Sequence, residues 1–328
     1  MKIYDVAFLG MGASALATAK LKYNGTSISL IGIDKNYHSK RNNFFAFWLT
    51  DWMKDFDSLA QKKWFCWNFY LTNNHIKHET KDLPYCIIRY QDWKNYCLKG
   101  LENLSIKEFN VQSITNLKKY YEIKLENGEE IFAKKIYDSR TPKLENEKVK
   151  QHFFGYLIET KQIINSNSVT LMDFRVEQKM GLHFMYCLPI DENRMLVEST
   201  VFSSEIQEDA WYQKQILEYI ETKLNLSEYK IIDEEKGALP MYDIENKSSE
   251  NYINIGSRGG ATKISTGYAF SFFLKNIMLN FKNINKTHHS YFDKWMDKVF
   301  VNYLKNNSGT ETVSYTLLRA HETQTHLV

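Results

Sequence analysis

The chain is short of proline, cysteine and net charge. It has four prolines in 328 residues, with no internal repeat and no low-complexity tract. An apolar fraction of 43% and a charged fraction of 25% are ordinary for a folded protein and argue against global disorder. The four cysteines, Cys66, Cys86, Cys97 and Cys187, show neither CxxC nor zinc-type spacing, so a disulfide framework and a zinc module are both disfavoured and a reduced, cytoplasmic protein is expected. The net charge of +3, from 42 basic and 39 acidic residues, gives no reason to expect nucleic acid as a partner. No apolar run approaches the roughly 18 residues of a membrane-spanning helix. The first residues, Met1-Lys-Ile-Tyr-Asp5, lack the apolar run of a signal peptide. Nucleophile-elbow, HExxH and P-loop motifs are missing as well. What is abundant is aromatic surface: 21 Tyr, 20 Phe and 7 Trp, 15% of the chain.

The first 34 residues carry the clearest pattern. Val6-Ala-Phe-Leu9 reads as a strand buried on both faces. Gly10-Met-Gly12-Ala-Ser14-Ala15 follows, then Leu16, Ala17, Ala19 and Leu21 at helical spacing, then a second strand, Ser27 to Asp34. In a dinucleotide-binding βαβ unit Gly10 permits the tight turn, Gly12 lets the backbone approach a pyrophosphate, and Ala15 lets helix and strand pack closely. The helix N-terminus, with Ser14 in its first turn, favours the anion, and Asp34 lies where an acid binds a ribose 2′-OH.

Residues 41–70 concentrate Phe44, Phe45, Phe47, Trp48, Trp52, Phe56, Trp64, Phe65, Trp67, Phe69 and Tyr70. The segment reads chiefly as core between two domains, with a few rings lining a pocket. Residues 85–101 suggest a strand end and a helix. Residues 104–137 suggest a meander, with Tyr120–Leu125 and Glu130–Ala133 joined by an Asn-Gly turn and Lys135–Arg140 as a further strand. Four strand-like runs between 153 and 202 indicate an antiparallel sheet. Helices are expected at 205–224, 266–281 and 290–305. His75-x-x-His78 reads as a polar loop without a third ligand, and His288-His289 as a helix-start pair; no metal is expected.

Several blocks, in order, resemble the lycopene cyclase family of flavoproteins, a branch of the group sharing the aromatic-hydroxylase FAD fold. They are the Gly10–Ala15 turn with Asp34, Asn42 to Trp48, Asp138-Ser-Arg140, Phe154-Gly155, Met172-Asp173 through Gln178, Gly181, Phe184, Tyr186 and Pro189, then Leu196-Val-Glu198-Ser-Thr200, Glu235 to Pro240, and Thr266-Gly267-Tyr268. Ser199 stands where the family often has a second acid, Thr141 where it has glycine, and Ile264 where it has proline. The resemblance implies an α/β fold: an FAD-binding Rossmann-like domain of the glutathione-reductase and aromatic-hydroxylase type with an inserted antiparallel-sheet substrate domain. The partition expected is 1–40, 80–150 and 245–285 for FAD, 41–79 and 151–244 for substrate, and 286–328 as a C-terminal helix and tail.

The resemblance also implies FAD, used reduced, with NAD(P)H as an external reductant, and acid-initiated, non-redox cyclisation of a carotenoid or other hydrophobic isoprenoid. Glu198 takes the role of general acid, since a carboxyl in an apolar pocket keeps its proton near neutral pH; otherwise it is a salt-bridged strand residue. Arg89 is either a flavin-phosphate contact or a surface arginine. Asp138, with Arg140, lies near the flavin or closes a domain junction. Asp173 is read as structural. Gly259 belongs to a glycine turn beside the flavin, and the N–H groups of Thr266 and Gly267 begin a helix that meets the ring. A hydrophobic substrate implies membrane-surface contact through residues 44–70 or 290–305. The rival readings are an FAD-dependent monooxygenase, halogenase or dehydrogenase acting on a small aromatic or lipid, and a binding protein without turnover.

Overall fold

Strand β1 (Ile3–Leu9) is apolar on both faces because it is buried on both, and helix α1 (Ala13–Tyr23) returns the chain across it to β2 (Leu30–Ile33). The computed structural model describes residues 2–41, 43–245, 247–278 and 291–306. After β2 come β3 (Phe44–Trp48), a 3-10 helix over Asp51–Leu59, β4 (Lys62–Trp64), β5 (Cys66–Leu71), β6 (Asn74–Glu79), β7 (Tyr85–Arg89) and α2 (Tyr90–Leu98). Next are β8 (Leu104–Lys107), β9 (Val111–Asn116), β10 (Tyr121–Leu125) and β11 (Glu130–Asp138). The chain continues through β12 (Lys150–Thr160), β13 (Val169–Asp173), β14 (Leu182–Pro189), β15 (Arg194–Ser203), α3 (Asp209–Thr222) and β16 (Tyr229–Pro240). It then forms β17 (Tyr252–Asn254), a 3-10 turn over Gly256–Gly259, α4 (Phe270–Met278) and α5 (Tyr291–Asn306).

Among the described residues the strands form three sheets. The first runs β8-β2-β1-β11-β10-β9, with β17 also on β11. Its β8, β2, β1, β11 and β17 pairings are parallel, while β9, β10 and β11 form the antiparallel meander around the Asn127-Gly128 turn. Two details differ from the sequence reading. Leu104–Lys107 joins β2 in parallel instead of belonging to the meander. Residues 135–138 continue β11 without a break, because one long strand must reach from the hairpin to the cofactor end of β1.

The second sheet runs β16-β12-β15-β14-β13-β5-β6, antiparallel except where β13 meets β5. Its residues alternate faces, with register shifts at Leu157/Ile158 of β12 and within β13. Phe154, Tyr156, Ile158, Val197, Val201 and Met185 point one way and pack on Tyr212, Ile216, Tyr219 and Ile220 of α3. Intervening residues point the other way, toward the third sheet, β3-β7-β4, and its aromatic core of Trp48, Trp64 and Tyr85. That small sheet pairs strands from both sides of residue 80.

In the aromatic segment Phe47, Trp48, Phe56, Trp64 and Phe69 are core and Phe44, Phe45, Trp52, Trp67 and Tyr70 are half-buried; only Phe65 is exposed. Phe45 and Phe47 stack on Phe270 of α4 at 5.2 and 4.8 Å, which ties the small sheet to the first domain. The His75 and His78 segment is strand β6, where His75 stacks on Tyr70 at 4.3 Å and bonds Asn68. His288-His289 lies outside the described residues. Helix α5 is anchored by Phe300 and by a buried ion pair, Asp297 to Lys263, 3.1 Å long.

Candidate active site

The site begins at the C-terminal ends of β1, β2 and β11. Gly10 has φ +77, and a Cβ there would sit 3.1 Å from the Ser139 hydroxyl and 3.3 Å from the Arg140 nitrogen, so only glycine fits between β1 and the end of β11. Gly12 is the N-cap of α1, without a side-chain cap and without an acid in the first turn. A Cβ at Gly12 would meet nothing within 4 Å. The first turn of α1 therefore presents amide donors to open space, which suits a pyrophosphate. Ala15 is wholly buried against the sheet. Ser14 is packed under Gly256, whose own Cβ would fall 2.5 Å from the Ser14 hydroxyl. Asp34 closes β2: one carboxylate oxygen accepts the Met11 N–H at 2.8 Å and the Arg41 guanidinium at 3.3 Å, the other the Asn36 N–H at 2.9 Å. This fixes the carboxylate beside the glycine turn, where a ribose would lie.

A second half of the site lies on the face of the second sheet that is turned toward the third sheet. Tyr186, Glu198, Gly155 and Glu235 occupy one row across β14, β15, β12 and β16. Residues directly opposite share a face, so all four look toward the third sheet. A Cβ on Gly155 would stand 3.3 Å from Leu196 Cδ1, 3.4 Å from Glu198 Cβ and 3.4 Å from Glu235 Cγ, so the glycine lets the two acids and Leu196 pack closely around it. Glu198 is 7% exposed, and its Oε1 accepts the Thr200 hydroxyl at 2.5 Å. Burial, then the charge of Glu235, hold the Glu198 carboxyl well above the usual carboxylate range, against the Thr200 bond. Burial also raises Glu235, opposed by the Phe44 backbone N–H that it accepts from β3 and aided by Asp233. The Tyr186 hydroxyl lies 2.7 Å from that of Tyr85, which lies 3.2 Å from that of Tyr268, so a line of phenols leads from the acid row to the 263–268 loop.

Residues 5–290 match the family described as lycopene cyclase protein. The chain belongs to the lycopene cyclase family. A chloroplastic neoxanthin synthase of Solanum tuberosum is 23% identical over 300 residues, 81% of this chain and 57% of that protein, so the chain spans little more than half of that relative. A geranylgeranyl bacteriochlorophyll reductase-like protein from Thermoplasma acidophilum matches with TM-score 0.65 at 11% identity, over 99% of this chain and 84% of that one. A flavin-dependent brominase matches with TM-score 0.57 at 14% identity, over 92% and 84%. A rebeccamycin biosynthetic enzyme solved with reduced flavin matches with TM-score 0.59 at 10% identity, over 92% and 66%. The chain therefore shares its fold with these three proteins, an α/β domain with an inserted antiparallel sheet.

Set in this family's fold, the residues singled out from the sequence divide. Gly10, Gly12, Ser14, Ala15 and Asp34 gather at the α1 turn, and Glu198 stands in the cleft row. Asp138 is fully buried, with both oxygens taken by Arg140, Tyr252 and Arg258. Burial pushes its carboxyl up, but the Arg140 bonds, with Tyr252 and Arg258, bring it below the usual range. Gly259 is likewise a packing position, since a Cβ would sit 2.5 Å from the Asn254 carbonyl oxygen. The N–H groups of Thr266 and Gly267 are taken up within their own loop. Both donate to the Lys263 carbonyl, at 3.3 and 2.8 Å, and the helix begins only at Phe270. Gly267 has φ +71 and abuts Gln151, which accounts for its glycine. Arg89 ends β7 with its guanidinium 5.9 Å from the centre of the Phe44 ring, at the mouth between the small sheet and the cleft row.

Sequence reasoning missed Glu235, Tyr85 and Arg41 as site residues. Glu235 sat in a family-like block, yet nothing local marks it; only strand register sets it beside Glu198. Ser199, the departure from the family's second acid, points to the opposite face and bonds His183 at 2.8 Å. Successive strand residues alternate faces, so residue 199 turns toward α3 and not the cleft. Among the described residues no cluster of His, Cys, Asp or Glu has metal-binding geometry, and no helix is long and apolar enough to cross a membrane.

Proposed function

We propose that the chain is an FAD-dependent cyclase that protonates a terminal double bond of a carotenoid or other hydrophobic isoprenoid, with Glu198 as the general acid. The observation that carries this reading is the placement of Glu198: a buried carboxyl whose protonated form burial favours, on the sheet face that packs against aromatic rings, in a chain of the lycopene cyclase family. An apolar cleft excludes water that would otherwise quench a carbocation, and aromatic faces stabilise positive charge.

FAD fits the first domain. The amides at the start of α1, with Gly10 and Gly12 leaving room, would hold its pyrophosphate, and Asp34 its ribose. The flavin, when bound and reduced, supplies electron density that stabilises a nearby cation without net redox change. This chain's own residues do the rest. Glu198 delivers the proton, Thr200 orients it, and Phe44 and Tyr186 shape the cleft. Contact with a membrane surface is part of the proposal and is supported by Tyr291, Phe292 and Trp295, all exposed on α5.

Purified protein, loaded with FAD and reduced anaerobically, is incubated with lycopene. The expected outcome is a cyclised, isomeric product, lost by about 10²–10⁴-fold in Glu198→Gln with FAD still bound. The fold also supports a second reading, a flavin oxidoreductase, because hydroxylases and a brominase share it. Substrate-dependent NAD(P)H oxidation with oxygen or halide, unaffected by Glu198→Gln, would replace the cyclase reading with that one.

A further inference from the structure

We propose that Glu235 is the proton acceptor that completes the reaction, and that Glu198 and Glu235 act as a pair holding one proton between them. The proposal rests on the cyclase reading above. Its basis is geometric: both acids lie on one register row, on one face, with only Gly155 between them. Two carboxylates confined in an apolar cleft cannot both ionise cheaply, so one carries the proton. The Phe44 N–H on Glu235 favours its ionised form, which leaves the proton with Glu198. The groups facing the pair are Asp233 on β16, Tyr186 on β14, Tyr85 on β7 and Tyr268 in the loop, with Arg89 over the neighbouring Phe44 ring.

The proton and electron balance closes. Glu198 gives its proton to the terminal alkene carbon, whose π pair becomes the new C–H bond. The next double bond donates its π pair to the resulting cation and forms the ring C–C bond. The ring cation then loses an adjacent proton to the Glu235 carboxylate, and that C–H pair becomes the ring double bond. The product is an isomer of the substrate. A proton passing from Glu235 back to Glu198 restores the starting state, so no oxidant or reductant is consumed. The arrangement also gives this chain a second acid without one at residue 199.

The test is Glu235→Gln, in which the amide oxygen still accepts the Phe44 N–H, so the local bond survives. Two measurements are made. The first needs no substrate: infrared pH-difference spectra follow the protonated-carboxyl band. The band should titrate at lower pH than in the wild type both in Glu198→Gln, where Glu235 alone remains, and in Glu235→Gln, where Glu198 alone remains, because the like charge is gone in each. The second is anaerobic turnover of lycopene in D2O by protein carrying reduced FAD. Glu235→Gln should lose about 100-fold or more in kcat with KM little changed, while deuterium enters the recovered lycopene, since protonation and closure proceed and reverse when the final proton loss is blocked. Wild-type turnover in Glu235→Gln, or a carboxyl titration that Glu235→Gln leaves unmoved, overturns the proposal. If the wild-type protein cyclises nothing, the cyclase reading falls and the proton-acceptor role with it; the infrared measurement still decides whether the pair exists.

Discussion

Arg175 grips Asp173 with the same donors that Arg140 brings to Asp138. In each pair the arginine's backbone N–H and Nε reach one carboxylate oxygen and Nη2 reaches the other, with a tyrosine hydroxyl, Tyr219 or Tyr252, 2.7 Å from that second oxygen. Both acids are completely buried and sit at the ends of strands. Each clasp pins a strand end to a neighbouring element, β13 to α3 and β11 to β17.

Asp173→Asn removes the charge that its arginine neutralises and leaves a half-buried guanidinium without its partner. Breaking such a pair costs about 3–5 kcal/mol. Urea unfolding should show that loss, while FAD affinity of the folded protein stays at the wild-type value. A loss of FAD affinity with unchanged stability would assign Asp173 to the site instead.

Glu198 should work against stability at high pH. Its folded carboxyl is held above the ordinary 4.5 of an unfolded glutamate. Between those values the folded state binds the extra proton, so stability falls as pH rises through that interval. Glutamine carries no such penalty. The melting temperature of Glu198→Gln should exceed that of the wild type by a margin that widens from pH 5 to pH 8. A constant margin would contradict the raised carboxyl.

His152 and His183 impose the opposite dependence. Burial lowers both from 6.5 to about 4. The His183 Nδ1–H donates to the Glu177 carbonyl at 2.8 Å, and Nε2 accepts from Ser199. The Ser203 hydroxyl donates to the Glu205 carbonyl, so it accepts from His152 Nε2, and Tyr212 donates to Nδ1. Both rings are thus neutral by arrangement. Between pH 6.5 and about 4 the unfolded chain binds the extra protons, so stability is lost as pH falls. Each ring contributes up to about 3 kcal/mol, at about 1.4 kcal/mol per pH unit. Replacing His183 by Asn should flatten that acid limb in a melting-temperature series; an unchanged slope would show that the limb belongs to other groups.

Gly12→Val separates cofactor binding from folding. The space over Gly12 is open, and its φ of −75 suits any residue. The apo-protein should unfold within about 1 kcal/mol of wild type. FAD binding, followed by fluorescence quenching, should weaken by tenfold or more, because the side chain fills the pyrophosphate's place. Equal affinity would move the phosphate away from α1.

Legibility in the sequence tracked the range of the interactions. The α1 turn, Asp34 and the hairpin at Asn127-Gly128 are set by neighbours a few residues apart, and the chain displays them openly. The Glu198 strand was readable by its pattern. Glu235 was not, because its meaning depends on register across β15, β12 and β16, with the two acids 37 positions apart in sequence. Leu104–Lys107 was misplaced for the same reason: a short strand carries no local mark of a parallel partner. Thr266 and Gly267 resembled a helix start, but the Lys263 carbonyl captures their N–H groups in a turn that composition does not reveal.

The ion pair between Lys263 and Asp297 has a consequence for biosynthesis. Lys263 opens the loop that carries Tyr268 to the acid row, and its buried charge is met by a residue 34 positions later. On the ribosome the nucleotide turn emerges first, yet the loop beside the cleft lacks this counter-charge until α5 has been synthesised. The 263–268 loop therefore acquires this ion pair only once α5 has been made, and nascent chains halted before residue 297 should hold Tyr268 less firmly beside the acid row.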